Sequence, residues 1–219
     1  RHAWALWQSP IATPGQRFHF LTGWFAWFAD GLHFVFTVGA LLWTIGMLHA
    51  KQVYALPLDL FVVPVLAFCL VKMAFGVISY RARVDCGWAD AFGAAIASMS
   101  LSHVIARGVG KGLSTASHPF ERTAKQRRLR RQPSALSIVR EELLLLIVLL
   151  LGGIGSAVIL DGSKPEVQLW IAILIAQALP YAAAVLMALI SSRSQARGGL
   201  VEAVAGPPYE QRAAGAGRR

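Results

Sequence analysis

Four long apolar runs dominate the pattern of hydrophobic and polar positions along the chain. They cover approximately residues 31–48, 60–79, 143–160 and 167–190. A helix rises about 1.5 Å per residue, so a run of about 17 to 25 apolar residues is long enough to cross a bilayer. Short connections join the first run to the second and the third to the fourth. The pattern therefore predicts an all-α membrane protein with four transmembrane helices arranged as two hairpins.

The middle segment between the two hairpins has a different periodicity. Within residues 88–113, apolar side chains recur at four-residue spacing on one face and basic side chains recur on another, as Leu101, Ile105, Val109 and His103, Arg107, Lys111. This spacing is typical of an amphipathic helix. We predict that this helix lies along the cytoplasmic membrane surface, with its basic side toward headgroups and water. The alternative is a solvated helix on a small soluble domain.

These patterns divide the chain into five segments. Residues 1–28 form a cytoplasmic linker or interfacial segment, 29–80 the first transmembrane hairpin, and 81–142 the interfacial helix with a basic loop. Residues 143–191 form the second hairpin. The remaining residues, 192–219, are rich in Gly, Ala and Arg and poor in large apolar residues, which predicts a disordered tail.

The distribution of positive charge predicts an orientation. Of the 21 Lys and Arg residues, 18 precede the first span, lie in the middle segment or follow the last span, whereas Lys51 and Lys164 lie in the short connections. Positive residues are retained on the cytoplasmic side of a membrane. We therefore expect a multi-pass protein of the cell membrane with both ends and the middle segment in the cytoplasm.

Composition excludes several classes of function. Only 15% of the residues are charged, well below the roughly 25% usual in soluble domains. The net charge of +10 could suggest nucleic acid, but the apolar runs leave little room for a soluble basic domain, so we expect no nucleic-acid partner. The two cysteines form no metal pair, the histidines show no zinc spacing, and the carboxylates are scattered. We therefore predict no catalytic residue and no metal site in this chain.

Several polar or small residues interrupt the spans. Lys72 lies eight positions before Tyr80, so its stem can extend to the cytoplasmic headgroups. The alternative is that it faces a polar channel together with Asp30, His33, Gln168 and Gln177, because polar residues inside membranes usually face cavities or other helices. A cluster of small residues favours close helix contact, namely Gly152, Gly153, Gly155 and Ser156. Pro180 is expected to kink the last span.

The segment "PFERTAK" at 119–125, preceded by the helix "LSHVIARGVGKGL", resembles the membrane portion of processive family-2 glycosyltransferases, the cellulose synthase-like and β-glucan synthase-like enzymes. In that family a surface helix is followed by a gating loop of pattern F-x-V-T-x-K. Phe120, Thr123 and Lys125 match this pattern, and Arg122 stands where the family usually has Val. The opening "TPGQRFHFLTGWFAW" is also similar to the family's linker after its Q-x-x-R-W helix, a motif that this chain lacks.

The resemblance implies a function for the whole region. The chain would be the membrane part of an enzyme that transfers sugar from a nucleotide-sugar donor to a growing glycan, with Phe120, Thr123 and Lys125 closing over the nucleotide. The catalytic domain and its divalent metal, Mg or Mn, would lie upstream, and this chain would be a piece of a longer protein.

The run "QRRLRR" at 126–131 is expected to bind anionic lipids. The alternative function is a small transporter or channel subunit with a lipid-binding basic loop.

Overall fold

A computed structural model describes residues 7–53, 58–115 and 134–205 of the chain. Its regular secondary structure is helical throughout the described residues. The helices in chain order are α1 (Pro14–Ala50), α2 (Leu58–Arg83), α3 (Trp88–Ser100), α4 (Ser102–Ser114), α5 (Ala135–Ile138), α6 (Arg140–Ile159) and α7 (Pro165–Ala205).

The long helices are apolar enough to span a membrane. Five stretches meet this condition by length and composition: Pro14–Ala50, Val63–Arg83, Trp88–Ser114, Arg140–Ile159 and Pro165–Arg193. Large apolar side chains such as Phe25, Leu42 and Phe75 lie exposed on the outside of the bundle, as lipid-facing residues do. The prediction of an all-α membrane protein is confirmed. The segment predicted as a surface helix is itself among the five candidate spans, so a count of four spans stays a prediction.

The first and last long helices extend beyond the predicted spans. Helix α1 begins at Pro14 because Thr13 caps it: the Thr13 hydroxyl accepts a hydrogen bond from the Gln16 amide, and the Gln16 side chain accepts one from the Thr13 amide. Much of the predicted linker is therefore helical. Helix α7 continues to Ala205, into the segment predicted as disordered from residue 192. Its Gln, Arg, Glu and Ala residues are good helix formers, and extending an existing helix requires no new nucleation.

The helix expected over residues 88–113 is divided at Leu101 into α3 and α4. Helix α3 runs back against α2 and also contacts α7, whereas α4 packs against α1. The approach of α3 to α2 favours a glycine at position 76, since a Cβ there would lie 3.1 Å from the Cβ of Ala95 and would force a small shift of α3. The two halves of the middle segment are therefore built into the helix bundle.

The core lies between α1 and the hairpin formed by α6 and α7. Two hydrogen bonds cross it: the Trp170 indole donates to the Thr44 hydroxyl over 3.0 Å, and the Tyr181 hydroxyl donates to Thr37 over 3.1 Å. A Cβ at Gly155 would lie 3.2 Å from a Leu48 methyl group, so the small residues predicted at helix contacts do permit a close approach. This core fixes α1 beside the two helices that follow the basic loop.

Pro180 lies inside α7, as the predicted kink requires. Proline has no amide hydrogen, so it cannot bond the carbonyl of Ala176 one turn earlier. The thiol of Cys69 on α2 lies 3.7 Å from that carbonyl oxygen and donates to it. A contact between helices thus replaces a hydrogen bond that the proline removes.

Candidate functional site

A buried ion pair joins α1 to α2 inside the bundle. The Lys72 ammonium donates to Oδ1 of Asp30 over 2.5 Å and to the Ser102 hydroxyl of α4 over 2.9 Å. The Asp30 side chain is 3% exposed and that of Lys72 is 19% exposed. Ion pairs are rare within membrane segments and usually mark a functional or strongly packed site. Three helices therefore meet at one charged contact.

Lys72 faces the bundle interior. Besides its two hydrogen bonds, its ammonium lies 5.3 Å from the ring centre of Phe68 on its own helix. From the sequence, this side chain either extends to the headgroups or faces a polar channel together with Asp30, His33, Gln168 and Gln177. Its hydrogen bonds to Asp30 and Ser102 direct it to polar groups of neighbouring helices, whereas the polar channel stays a prediction.

Two further polar side chains lie buried near this pair without hydrogen-bond partners in the described structure. The His33 ring stacks on Phe68 with centres 4.4 Å apart, and neither of its nitrogens is hydrogen-bonded. Gln177 is fully buried, and neither atom of its amide group is bonded. Buried polar groups without protein partners normally bind water or a ligand. Gln168, predicted to join this group, is instead exposed and donates to the Gly162 carbonyl at the α6–α7 turn.

A second charged contact joins α4 to α6. His103 Nε2 lies 3.2 Å from Oε2 of Glu141, and Arg107 donates to the same oxygen over 2.7 Å. His103 is buried and also contacts the Phe34 ring, so it does not lie on the water-facing side predicted for it. Arg107 and Lys111 remain exposed. The start of the second hairpin is thereby attached to α4.

A cavity of about 530 Å³ lies beside this contact. Its polar lining consists of serine hydroxyls and one buried carboxylate: Ser100, Ser134, Ser191, Ser192 and Glu142. Hydroxyl and carboxylate groups donate and accept hydrogen bonds in the way that polyhydroxylated ligands require. The hydroxyls of Ser100 and Ser192 already donate to carbonyls of their own helices, so they would meet such a ligand as acceptors.

The three predicted gating-loop residues, Phe120, Thr123 and Lys125, lie in the segment 116–133, outside the described residues. Its two ends are described. Helix α4 ends at Ser114, where the Thr115 amide donates to the Lys111 carbonyl. The segment ends at Ser134, whose hydroxyl caps α5 by accepting from the Ser137 amide.

The described residues offer no cluster of three or more His, Cys, Asp or Glu side chains that could hold a metal ion. Asp30 is paired with an ammonium group and Glu141 with a guanidinium group, so neither carboxylate is available as a ligand of a divalent cation.

Sequence reasoning missed three contributors to these contacts. Ser102 and Glu141 were not considered as partners of Lys72 and His103, and Tyr181 was not considered at all. Their separations along the chain, from 30 residues for Lys72–Ser102 to 144 for Thr37–Tyr181, leave no periodic signal. The chain matches no protein-family model, and comparisons with curated proteins and with solved structures give no match.

Proposed function

We propose that this chain is the membrane region of a glycosyltransferase similar to the processive family-2 enzymes, which transfers sugar from a nucleotide-sugar donor to a growing glycan. The observation that carries the proposal is the segment "PFERTAK" directly after a helix at the membrane. A Phe, a Thr and a Lys at this spacing can form a lid over a nucleotide diphosphate. The catalytic domain, with its divalent metal, would precede this chain.

The attachment of the loop to the bundle supports this proposal. Glu141 binds both His103 and Arg107, so side-chain contacts link α4, which precedes the segment 116–133, to α6, which follows it after α5. A mobile loop closes accurately on a ligand when its ends are fixed to rigid elements. Packing of α4 on α1 gives the loop such a base.

Each loop residue has a distinct role in this proposal. The Thr123 hydroxyl and the Lys125 ammonium bind the diphosphate, Lys125 as a point charge. Phe120 excludes water from the closed site. Arg122, which replaces the usual Val of the related pattern, is assigned no contact. The arginines at 127, 128, 130 and 131 bind anionic lipid headgroups at about 1 kcal/mol each.

The serine-lined cavity extends the proposal to the glycan. It lies among α3, α4, α6 and α7 next to Ser134, where the loop ends. Sugar hydroxyls would bind its serines and the Glu142 carboxylate. We infer that the growing glycan passes this cavity between the catalytic domain and the membrane.

The proposed topology has both chain ends and the loop in the cytoplasm, and cysteine labelling tests it. In a chain with Cys69→Ala and Cys86→Ser, we expect Gln52→Cys and Ser163→Cys to react with a membrane-impermeant maleimide from outside intact cells. Both positions are exposed in the short connections. Gln126→Cys should react only after permeabilisation, because the basic middle segment is retained inside. Labelling of position 126 alone in intact cells would reverse the topology.

The purified chain alone should transfer no sugar from any nucleotide donor. The acidic residues that would bind the metal and deprotonate the acceptor are expected upstream, and the described residues contain no such cluster. Radiolabelled sugar incorporation in detergent, with Mg²⁺ or Mn²⁺ added, measures this directly. Metal-dependent turnover by the chain alone would contradict the proposal that the catalytic residues lie in a preceding domain.

The coding sequence upstream of Arg1 separates this function from a transporter or channel subunit. An α/β domain with clustered aspartates and a Q-x-x-R-W motif supports the glycosyltransferase. A start codon directly before Arg1 supports the transporter, whose basic loop would then recognise lipid or an anionic solute.

A further inference from the structure

A groove of about 750 Å³ lies between α1, α2 and the α3–α4 junction and shares the lining residues Leu101 and Val104 with the serine-lined cavity. It is half-open at the bundle surface. Its walls are mostly apolar, with aliphatic side chains and four aromatic ones, Trp27, Phe36, Phe68 and Phe75, among the lining residues. Because the surrounding medium of these helices is a bilayer, the molecules that reach this groove most readily are lipids.

The polar floor of the groove has unused hydrogen-bonding capacity. Asp30, His33 and Lys72 all line it. An ammonium group has three N–H donors. Two of those on Lys72 bind Asp30 and Ser102, so one remains for a ligand oxygen. Both nitrogens of His33 are buried and lack partners in the described structure, so a reorientation of this ring toward the groove would let it donate one hydrogen bond to a ligand and accept another. A ligand that fits must therefore carry an apolar body and a small polar head.

The depth of this floor agrees with the position of a lipid's glycerol backbone. Asp30 lies 20 residues before Ala50, the end of α1, which corresponds to about 30 Å of helix. The hydrocarbon core of a bilayer is also about 30 Å thick. With the end of α1 placed at one boundary of the hydrocarbon region, the floor lies near the other boundary. Pro64 and Val65, which line the groove about two turns before Lys72 on α2, then lie toward the hydrocarbon interior, where acyl chains lie.

The charge of the floor selects among lipid heads. The Lys72 ammonium is balanced by the Asp30 carboxylate at 2.5 Å, so the pair presents no net charge. Phosphate recognition normally uses uncompensated or multiple cations. Hydroxyl and ester oxygens need only the donors and the acceptor that Lys72 and His33 supply.

We propose that this groove is a binding site for an uncharged glycerolipid of the diacylglycerol type, with its hydroxyl and ester oxygens at Lys72 and His33 and its acyl chains along the apolar walls. The polar groups of this site, Asp30, His33 and Lys72, do not line the serine-lined cavity, which adjoins the groove at Leu101 and Val104. An anionic phospholipid and a helix of another polypeptide are the competing occupants.

Photo-cross-linking in nanodiscs tests the site with the full 219-residue chain. The chain is reconstituted into phosphatidylcholine nanodiscs with a trace of diacylglycerol that carries a diazirine in one acyl chain. We expect cross-links to map to α1 around residues 26–36 and to α2 around residues 64–76. Unlabelled diacylglycerol should compete about tenfold more strongly than phosphatidylglycerol, a difference equivalent to one or two hydrogen bonds.

Matched variants separate the groove from the general lipid-facing surface. Ala67 lines the groove and is exposed, so Ala67→Trp should fill it and lower cross-linking on the order of tenfold. Ala172→Trp adds the same side chain at an exposed position on α7 outside the groove and should leave cross-linking unchanged. His33→Phe preserves the stacking on Phe68 but removes both nitrogens, so the preference for diacylglycerol over phosphatidylglycerol should fall about fivefold.

Three results would overturn the proposal. Equal cross-linking of the two Trp variants would show that the groove is not the binding site. Equal competition by phosphatidylglycerol would assign the groove to anionic lipid. A wild-type chain that cross-links outside both mapped segments would leave the groove to a protein partner.

Discussion

Asp30→Ala should destabilise the folded bundle by about 3 to 5 kcal/mol, the cost of removing one partner from a buried ion pair. The Lys72 ammonium now makes two hydrogen bonds, to Asp30 and to the Ser102 hydroxyl, and the substitution removes the first of them. Because Lys72 is 19% exposed and its stem is flexible, the ammonium can move toward water, so we expect the lower end of this range. Unfolding in mixed detergent micelles, followed by tryptophan fluorescence, measures the change.

A double substitution isolates the charge from the packing. Asp30→Asn with Lys72→Met removes both charges and preserves similar side-chain volumes, so it should recover much of the stability lost in Asp30→Ala. Glu166→Ala, at an exposed acid in the first turn of α7, controls for the loss of one carboxylate. If Asp30→Ala unfolds at the same detergent fraction as Glu166→Ala, the ion pair contributes nothing to the fold.

The membrane fold could be predicted because a long apolar run is recognised from the local sequence alone, without knowledge of which helices pack together. A run that spans a bilayer must form a helix, since every backbone amide and carbonyl has to be bonded within the membrane. The centres of four long helices therefore followed from composition. The ends of these helices could not be predicted from composition. Helix α1 begins at Pro14, after a capping box of Thr13 and Gln16 that lies far from the apolar run in the sequence.

The partners of the polar residues could not be predicted because they depend on helix rotation and order. Asp30 and Lys72 were both identified as unusual intramembrane residues, yet their pairing across 42 residues follows only from how α1 and α2 pack. His103 shares a four-residue repeat with two basic residues and was assigned to the water-facing side. Its burial against Phe34 and Glu141 reflects the break at Leu101, which no proline marks.

The loop that carries the proposed function gives the second large effect. Lys125→Ala, made in the full-length protein that contains this chain, should reduce nucleotide affinity or sugar incorporation by about tenfold to a hundredfold. A charge-assisted hydrogen bond to a diphosphate contributes about 1.5 to 3 kcal/mol, and each 1.4 kcal/mol is a factor of ten. Phe120→Ala should also impair turnover, because the closed site would admit water. Because both residues are proposed to act only when the donor is bound, we expect membrane abundance to stay near that of the wild type.

A matched set of substitutions distinguishes a nucleotide lid from a membrane anchor within the same loop. Changing Arg127, Arg128, Arg130 and Arg131 together to Gln removes the charges that attract anionic headgroups and should weaken membrane attachment or disturb orientation. Catalysis should then change only through the altered membrane level. Each variant is assayed for membrane abundance, nucleotide affinity and sugar incorporation per molecule. If Phe120→Ala and Lys125→Ala both incorporate sugar at the wild-type rate, the loop is no lid. If only the arginine variant loses sugar incorporation per molecule, the arginines and not the lid residues support catalysis. That result would also contradict the roles proposed for Phe120 and Lys125.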